Sequence, residues 1–403
     1  MRVLSLSTVF PTPDDPAFGL FVRARLQHLA ALRDEVEVRV VAPVAVLDYS
    51  NYRTKLVRFG SAPAHRTDGL LEVLHPHWFY PPLGGPTNPY WLYLRLLPML
   101  SALRKEYPFD LIDSHFAFIE GVTAALLARH FDCPFTVTLR GSEPDHALYR
   151  YRDQAMRWAL TRADRAIGVS EDLRQLAIDH GTPPQRAVTI PNGIDTSVYY
   201  PRDRAEARRK HGIAADEPII LSAGYLIERK GHHLAVRALK SVRERGIPAR
   251  LLIAGGAGRE GAFEPRIRAV VTELGLQEFV QFLGPVPAAT LAELMSAADV
   301  YCLASNREGW PNVVHEAMSC GAPVVAMSVG GIPQMITSET RGYIVPNGDV
   351  TGLGDALVRT LQTTWDREAI KEWAHARSWS QVAREVLREM RAAIAESAQK
   401  RKS

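Results

Sequence analysis

The sequence lacks any run of about 18 consecutive apolar residues, so it predicts no helix that could span a membrane. Cysteine is scarce, and Cys133, Cys302 and Cys320 have no paired spacing. This pattern argues against a disulfide framework and favours a reducing compartment. The opening segment MRVLSLSTVFP is too short and too interrupted for the apolar region of a secretory signal. We therefore expect a cytoplasmic protein.

Recognisable metal-binding patterns are also absent. No Asp-x-Asp pair occurs anywhere in the chain, which argues against the carboxylate pair that many metal-dependent group-transfer enzymes use. The closely spaced histidines, His75 with His77 and His232 with His233, have no further partners at the intervals that zinc sites need. We expect no bound metal and no cofactor.

The composition is that of an ordinary folded protein. Hydrophobic residues make up 46% and charged residues 23% of the 403 positions, which excludes the disordered, collagen-like and coiled-coil classes. The length favours two domains over one. Lys and Arg outnumber Asp and Glu by 48 to 44, an excess that permits anionic ligands or an anionic membrane surface and gives nucleic-acid binding no special support.

Short β-branched segments alternate with amphipathic segments of helical period along the chain. The strand candidates are 3–7, 36–42, 111–114, 135–139, 166–170, 187–190, 219–223, 249–254, 279–283, 299–304, 323–326 and 342–345. This alternation predicts an α/β protein with two parallel, doubly wound sheets. We place the domains at 1–200 and 201–376, with a C-terminal helix within 377–403 that packs back on the first domain. Ligands of such sheets bind at the carboxyl ends of strands, so a cleft between the two domains is the expected site.

The most informative segment, SNREGWPNVVHEAMSCGAPVV, reads as strand, loop, short helix and strand. Pro311 suits the first turn of this helix and Gly321 the position after it. The free amides of a helix N-terminus favour an anion, and Glu308 and Glu316 flank them with carboxylates that accept hydrogen bonds from hydroxyls. Two solvated surface acids are the alternative interpretation, but the surrounding pattern favours a ligand with both phosphate and hydroxyl groups, such as a nucleotide sugar.

The segment EGWPNVVHE resembles the E-x7-E signature of the GT4-type family of retaining GT-B glycosyltransferases. The resemblance extends through GAPVVAMSVGGIPQMI and IPNGID, so it covers nearly the whole chain. It implies two Rossmann-like domains facing across a cleft and a role in bacterial polysaccharide synthesis. It also implies that Glu308 contacts hydroxyls of the donor sugar and that Glu316 contacts the ribose. The positions expected to hold sugar and phosphate are Gly309, Trp310, Pro311, Asn312, Val313 and Val314.

Two cations follow a predicted strand in SAGYLIERKGHH. Arg229 and Lys230 can reach a diphosphate and neutralise the charge that grows on it as the glycosidic bond breaks, without a metal ion. A solvated basic turn is the alternative. Members of the family usually carry an Arg five positions before the Lys, where this chain has Tyr225, so Arg229 is the candidate for the second charge.

The segment LLIAGGAGREG places Gly256, Gly258 and Gly261 in G-x-G-x-x-G spacing after a strand. This spacing is also typical of nicotinamide-binding turns. The acidic residue that such turns require at the end of the next strand is missing, because that strand ends in Leu283 and Gly284. We therefore predict a turn beside the donor phosphates, with Gly256 and Leu283 as donor-binding positions.

Two further candidates lie in the first domain. His115, in DLIDSHFAFIEG, directly follows a predicted strand, where it could donate a hydrogen bond to the transferred sugar as a catalytic residue. A packed structural histidine is the alternative. Gly19, in PTPDDPAFGLF, resembles the glycine of the family's loop under the donor phosphates, and is a candidate for backbone contact with the donor.

The segment TLRGSEPD places Arg140, Ser142 and Asp145 after the next strand, where we predict acceptor binding. Relatives often show His-Gly-x-Asp at this point. This chain has Arg140 in place of that His and Glu143 in place of that Asp.

Aromatic and basic residues are interleaved in HPHWFYPPLGGPTNPYWLYLRLLPMLSALRK. The residues concerned are Trp78, Phe79, Tyr80, Tyr90, Trp91, Arg95, Arg104 and Lys105. Such stretches are typical either of a core-facing helix with its loop or of a surface that lies on a membrane. The second interpretation implies peripheral contact with the inner face of the membrane and a lipid-linked acceptor.

We therefore predict a retaining, metal-independent hexosyltransferase that uses UDP- or GDP-linked sugar and a glycan or lipid-linked glycan acceptor. Departing phosphate would help to deprotonate the acceptor hydroxyl. The alternatives are a glycoside hydrolase with Glu308 and Glu316 as acid and base, and a non-catalytic nucleotide-sugar-binding protein. The hydrolase is disfavoured because the helix N-terminus favours an ionised carboxylate over a general acid.

Overall fold

The computed structural model of the protein describes residues 1–45, 62–79, 85–258 and 261–401. The chain forms two compact units. The first comprises Met1–Gly193 together with the chain from Trp379 onward, and the second comprises Ile194–Ser378. Each unit contains a largely or wholly parallel sheet flanked by helices, which confirms the predicted α/β class.

The strands of the first unit lie in the order β10-β9-β8-β7-β1-β2-β5-β4 within its described residues. The strands of this unit, in chain order, are β1 (Arg2–Leu6), β2 (Glu37–Val41), β3 (Val44–Ala45), β4 (His65–Asp68), β5 (Leu71–Leu74), β6 (His77–Trp78), β7 (Leu111–His115), β8 (Phe135–Leu139), β9 (Arg165–Gly168) and β10 (Ala187–Thr189). Strand β4 is antiparallel to β5, and the other neighbours in this sheet are parallel. The short strands β3 and β6 form a separate parallel pair.

Two strands of this sheet, β4 and β5, were not predicted. Strand β4 has the sequence HRTD and lies at the sheet edge, so it lacks the buried apolar run that marks a central parallel strand. Its Arg66 and Asp68 are ion-paired to each other. The α-helices of this unit within Met1–Gly193 are α1 (Leu20–Ala30), α2 (Asn88–Glu106), α3 (Val122–Phe131), α4 (Glu143–Ala147), α5 (Arg150–Leu160) and α6 (Glu171–Asp179).

The strands of the second unit are parallel, in the order β13-β12-β11-β14-β15-β16. They are β11 (Ile219–Ala223), β12 (Arg250–Ala254), β13 (Val280–Gly284), β14 (Val300–Leu303), β15 (Val324–Met327) and β16 (Gly342–Val345). The helices are α7 (Arg204–Lys210), α8 (His232–Glu244), α9 (Glu264–Glu273), α10 (Ala288–Ala297), α11 (Asn312–Ser319), α12 (Ile332–Met335), α13 (Val350–Gln362) and α14 (Arg367–His375). Strands β11, β14 and β15 are buried throughout, as their apolar sequences predict.

The last helix, α15 (Trp379–Lys400), belongs to the first unit. Its apolar face places Val382, Val386 and Met390 in one buried cluster with Leu26 and Leu29 of α1. Arg165 of β9 also forms ion pairs with two glutamates of α15. Within the described residues, no helix is both long enough and apolar enough to cross a membrane.

Candidate active site

The chain order of the second sheet reverses at one point. Strands β11, β12 and β13 follow one another toward one edge, and the chain then returns to place β14 on the other side of β11. The loops that leave the carboxyl ends of β11 and β14 lie at this reversal point, and such a point is where open α/β sheets bind ligands. These loops span 224–231 and 304–311.

An ion cluster forms where these two loops meet. Lys230 Nζ lies 2.5 Å from Glu308 Oε1, and Arg229 Nη1 lies 3.9 Å from Glu308 Oε2. Burial of the Glu308 side chain, which is 8% exposed, acts to raise the pKa of its carboxyl, but the charges of Lys230 and Arg229 outweigh this and lower it. Glu308 is therefore ionised at neutral pH, and Arg229 lies beside it as a second cation.

Backbone contacts hold the two loops together. Gly231 has a φ of 68°, and a Cβ atom at this position would lie 1.9 Å from the carbonyl oxygen of Ala304, so a side chain cannot be accommodated without moving the backbone. The N–H of Asn306 donates to the carbonyl of Arg229 at 3.0 Å. This close approach is what brings Lys230 within reach of Glu308.

The second carboxylate, Glu316, lies on α11 and is partly accessible. Burial raises the pKa of Glu316 to about 7, although Tyr199 and the charge of Lys230 act in the opposite direction. Lys230 is thus a cation that acts on both carboxylates. The two acids consequently differ: the pKa of Glu308 is lowered, whereas that of Glu316 is raised to about 7.

The start of α11 offers fewer free amides than its sequence suggested. Pro311 occupies the N-cap and has no N–H, and the N–H of Val314 donates to the Pro311 carbonyl at 2.9 Å. Trp310 and Val314 are buried, so their side chains pack inside the unit. Gly309 is tied to the loop after β15, because its carbonyl accepts the N–H of Gly331 at 2.8 Å.

The glycine turn after β12 lies next to the loop after β11. The carbonyl of Gly256 accepts the N–H of Leu226 at 2.8 Å, which joins this turn to the loop after β11. Residues 259 and 260 of the turn lie outside the described residues. Leu283 is on the edge strand β13, which β12 separates from β11. Of the predicted donor-binding positions in the second unit, Leu283 is therefore the farthest from β11 across the sheet.

In the first unit, the reversal of chain order lies between β1 and β7, and His115 ends β7. Its Nδ1 accepts from the Arg140 guanidinium at 2.8 Å, and its Nε2 lies 3.3 Å from both Asp113 Oδ2 and Ser5 Oγ. Burial, followed by the charge of Arg140, lowers the pKa of His115 to about 3. His115 is therefore neutral, fully buried and engaged at both ring nitrogens.

The same network includes Arg140, for which acceptor binding stays a prediction. Its guanidinium is buried and donates to His115 and, at 3.1 Å, to Asn192 Oδ1. Glu143 is also structural, because its carboxylate accepts the backbone N–H groups of Arg140 and Gly141. Ser142 and Asp145, at the start of α4, are partly exposed.

The loop after β1 is anchored by a residue that sequence reasoning missed. Glu120 Oε1 accepts from Thr8 N at 2.9 Å and from Thr8 Oγ1 at 2.5 Å, and burial raises the pKa of Glu120 to about 7. The chain bends sharply before Glu120, with positive φ at Phe116 and Ile119. Gly19 closes the same loop with a φ of 77°, and a Cβ there would lie 2.6 Å from the Val9 carbonyl oxygen.

Other residues of the site were also overlooked. Asp113 carried a sequence signal, because residues two apart on a strand share a face, and Asp113 therefore accompanies His115. Arg25, whose guanidinium lies 3.4 Å from Asp113, and Tyr199 carried none that we recognise. Within the described residues, no group of three or more His, Cys, Asp or Glu side chains is arranged to hold a metal ion.

Comparison with known proteins identifies the family. Residues 21–198 match the model described as Glycosyltransferase Family 4, and residues 203–377 match Glycosyl transferases group 1. The D-inositol 3-phosphate glycosyltransferase of Mycobacteroides abscessus is 30% identical over 394 residues, which cover 94% of this chain and 81% of that protein. The enzyme of the same name from Actinosynnema mirum is 30% identical over 378 residues, covering 90% and 84%.

Solved structures agree on the fold. Sucrose-phosphate synthase from Thermosynechococcus elongatus aligns with a TM-score of 0.70 at 22% identity, covering 100% of this chain and 98% of that one. Anabaena HepE in complex with UDP aligns with a TM-score of 0.72 at 20% identity, covering 96% and 98%. The chain therefore belongs to family 4 of the glycosyltransferases and is a glycosyltransferase of the GT-B fold.

Proposed function

We propose that this enzyme transfers a hexosyl-type sugar from UDP or GDP to a glycan or lipid-linked glycan, with retention of anomeric configuration and without a metal ion. The observation that carries the proposal is that Lys230 acts on two carboxylates, Glu308 and Glu316, at the reversal point of the second sheet. Carboxylates accept hydrogen bonds from hydroxyls, and Lys and Arg attract phosphate. A nucleoside diphosphate sugar carries both kinds of group.

The chemistry of a nucleoside diphosphate sugar suggests a role for the main candidate residues of the second unit. Glu308 accepts hydroxyls of the donor sugar and Glu316 accepts those of the ribose. Backbone groups of the turn at Gly256 and of the segment 309–313 hold the phosphates. Arg229 and Lys230 stabilise the diphosphate as the bond to the sugar breaks, and the departing phosphate takes the proton of the acceptor hydroxyl.

In the first unit, His115 acts by positioning neighbouring groups and carries no charge itself. Because His115 is neutral, fully buried and held by Arg140 and Asp113, we assign it a positioning role in place of the direct contact predicted from the sequence. Ser142 and Asp145 remain the acceptor-binding candidates, since both are partly exposed. The glycoside hydrolase and the non-catalytic binding protein are disfavoured by the family assignment.

The donor and acceptor are identified by binding and turnover. UDP is the first diphosphate to test because HepE binds it, and D-inositol 3-phosphate joins the glycans as an acceptor because the relatives are named for it. A diphosphate at 100 times its Kd adds about 2.7 kcal/mol to the free energy of unfolding, which a thermal-shift panel of UDP, GDP and ADP detects.

Glu316→Gln is expected to weaken binding of the correct diphosphate by about 10- to 100-fold, because a hydrogen bond to an ionised group contributes roughly 1.5–3 kcal/mol. Isothermal titration of both proteins measures the ratio. Glu339→Gln is the matched control, since Glu339 is a solvent-exposed acid of the same unit that pairs with Arg359. Equal affinities of wild type and Glu316→Gln would contradict the proposed site.

A specific observation favours a lipid-linked acceptor and contact with an anionic membrane. Helix α2 exposes Tyr90, Trp91, Leu94 and Arg95. The turn at 85–87 leads into α2 and packs on α5. A second group of exposed side chains lies just before α5 and in its first turn. Its members are Leu148 (81% exposed), Tyr149, Arg150 and Tyr151 (67% exposed). Aromatic and aliphatic side chains flanked by arginines are typical of membrane interfaces. Tyr80 of the predicted stretch lies outside the described residues.

The double variant Trp91→Ser with Tyr151→Ser is expected to lower binding to vesicles of phosphatidylglycerol by at least about tenfold, because each large apolar side chain contributes roughly 1.5–3 kcal/mol when buried. Vesicle sedimentation measures the partition. Trp91→Phe with Tyr151→Phe preserves the apolar area and serves as the control. Absence of vesicle binding by the wild type, or unchanged binding by the serine variant, would contradict the membrane proposal.

A further inference from the structure

The loop after β14, residues 304–311, carries Glu308 and lies between two other loops. Strand β14 pairs with β11 on one side and with β15 on the other, so its loop leaves the sheet between theirs. On the β11 side, Gly231 packs against the backbone of this loop. On the β15 side, the contact is made by the turn 328–331. The backbone position of Glu308 therefore depends on both neighbours.

The turn 328–331 approaches the loop so closely that Gly330 has no room for a side chain. Its φ is 53°, and a Cβ atom there would overlap the carbonyl oxygen of Glu308 and lie 2.8 Å from that of Gly309. The N–H of Gly331 donates to the same Gly309 carbonyl at 2.8 Å. The turn thus contacts the main chain at Glu308 and at the residue that follows it.

The turn is itself held at both ends. At its start, the N–H of Ser328 donates to the carbonyl of Val345 on β16 at 2.8 Å. At its end the short helix α12 begins, and Ile332 and Met335 of this helix are fully buried. Residues 306–308 of the neighbouring loop are at least partly exposed. Atoms added to the turn would therefore displace this loop more readily than they would displace the turn.

We propose that the turn 328–331 is a positioning element for Glu308: its backbone holds this residue beside Lys230, where the carboxylate accepts hydroxyls of the donor sugar. This inference rests on the proposed role of Glu308. Lys230 Nζ lies 2.5 Å from Glu308 Oε1, so the carboxylate has a defined place. A hydrogen bond between two oxygen atoms spans only about 2.5–3.0 Å, and a shift of about 1 Å breaks it.

The test is Gly330→Ala, with isothermal titration of UDP-glucose and of UDP. The affinity for UDP-glucose is expected to fall by at least about tenfold more than the affinity for UDP, because UDP has no sugar hydroxyls for Glu308 to accept. The kcat/KM of transfer is expected to fall by about 10²-fold, the cost of a displacement of about 1 Å. If the thermal-shift panel selects GDP or ADP, that diphosphate and its glucose derivative replace the uridine pair.

Gly331→Ala is a milder second variant. Gly331 has a φ of −75°, which alanine adopts without strain, and a Cβ atom there would lie 2.5 Å from Cε3 of Trp310. The expected result is a smaller loss in the same direction, with UDP-glucose weakened more than UDP. This variant decides the question if Gly330→Ala does not fold.

Gly275→Ala is the matched control. Gly275 is an exposed residue of the same unit with a φ of 67°, so alanine there has the same kind of backbone strain. Among the residues that the structure describes, a Cβ atom on Gly275 would meet nothing within 4 Å beyond its chain neighbours. Both affinities and kcat/KM are expected to match those of the wild type.

The ratio of the two affinities within one variant separates a local displacement from damage to the fold. Equal weakening of UDP-glucose and UDP by Gly330→Ala, or a wild-type ratio in both alanine variants of the turn, would overturn the positioning role. If Glu308→Gln changes the ratio and these two variants do not, the inference fails and the proposed function stands. If Glu308→Gln also keeps the wild-type ratio, the proposed role of Glu308 itself fails.

Discussion

Lys230→Met is expected to lower kcat/KM for sugar transfer by about 10²- to 10³-fold, the cost typical of removing one preorganised group that stabilises developing charge. Lys230 Nζ is 2.5 Å from Glu308 in a place where the carboxylate is 8% exposed, so no mobile solvent cation replaces it effectively. The loss should appear mainly in kcat, because charge on the diphosphate grows as its bond to the sugar breaks. Steady-state kinetics with the identified donor measure both parameters.

Lys210→Met is the control for this prediction. Lys210 pairs with Glu293 at 2.6 Å in the same unit, but its side chain is 60% exposed, so solvent screens the interaction. We expect its kcat/KM to match that of the wild type. A Lys230→Met enzyme with wild-type kcat/KM would show that the diphosphate is stabilised by other groups and would remove the basis of the proposed mechanism.

Asp113→Asn is expected to lower the free energy of unfolding by about 3–5 kcal/mol, the cost of leaving a buried charge without its partner. Asp113 is fully buried, and Arg25, whose guanidinium lies 3.4 Å away, is nearly so. Thr136 also donates to the carboxylate at 2.7 Å. Asparagine keeps the shape of the side chain but removes the charge that faces Arg25. Urea denaturation measures the difference at constant m-value.

The pH dependence of this difference follows from the charge of Asp113. Burial opposes ionisation, but the charge of Arg25 and hydrogen bonds from His115 and Thr136 lower the pKa of Asp113 well below its usual range. A depressed folded-state pKa contributes stability above the unfolded value, about 3.9, and that contribution is lost as pH falls through the folded value. The difference in free energy of unfolding between wild type and Asp113→Asn should therefore be largest at neutral pH and should decrease in acid.

Glu37→Gln provides the comparison, because the exposed Arg2–Glu37 pair of the same unit should contribute only about 0–1 kcal/mol. A loss for Asp113→Asn no larger than that of Glu37→Gln would show that Arg25 finds another partner. The activity of Asp113→Asn is then measured on its folded fraction. Wild-type activity of that fraction would mean that Asp113 only stabilises the fold, whereas reduced activity would support the positioning role assigned to His115.

The carboxylates and cations of the candidate site could be proposed from the sequence because their signals are local. Glu308 and Glu316 belong to one loop and helix, and Arg229 and Lys230 to one turn, so their spacing is visible in the sequence. The contacts of Arg140 could not be predicted in the same way. Its guanidinium is held inside the first unit by His115 and Asn192, which are remote from it in sequence.

The sequence by itself determined the parallel strands of the two sheets other than β5, and the residues at their ends, because burial period and strand termination are properties of short segments. Only the tertiary structure decided that Ser5 meets Asp113 and that Glu120 holds the loop at Thr8. Such pairs depend on which loops leave neighbouring strands and how closely their backbones approach. Those relations are settled when the sheets assemble, and no local pattern of residues contains them.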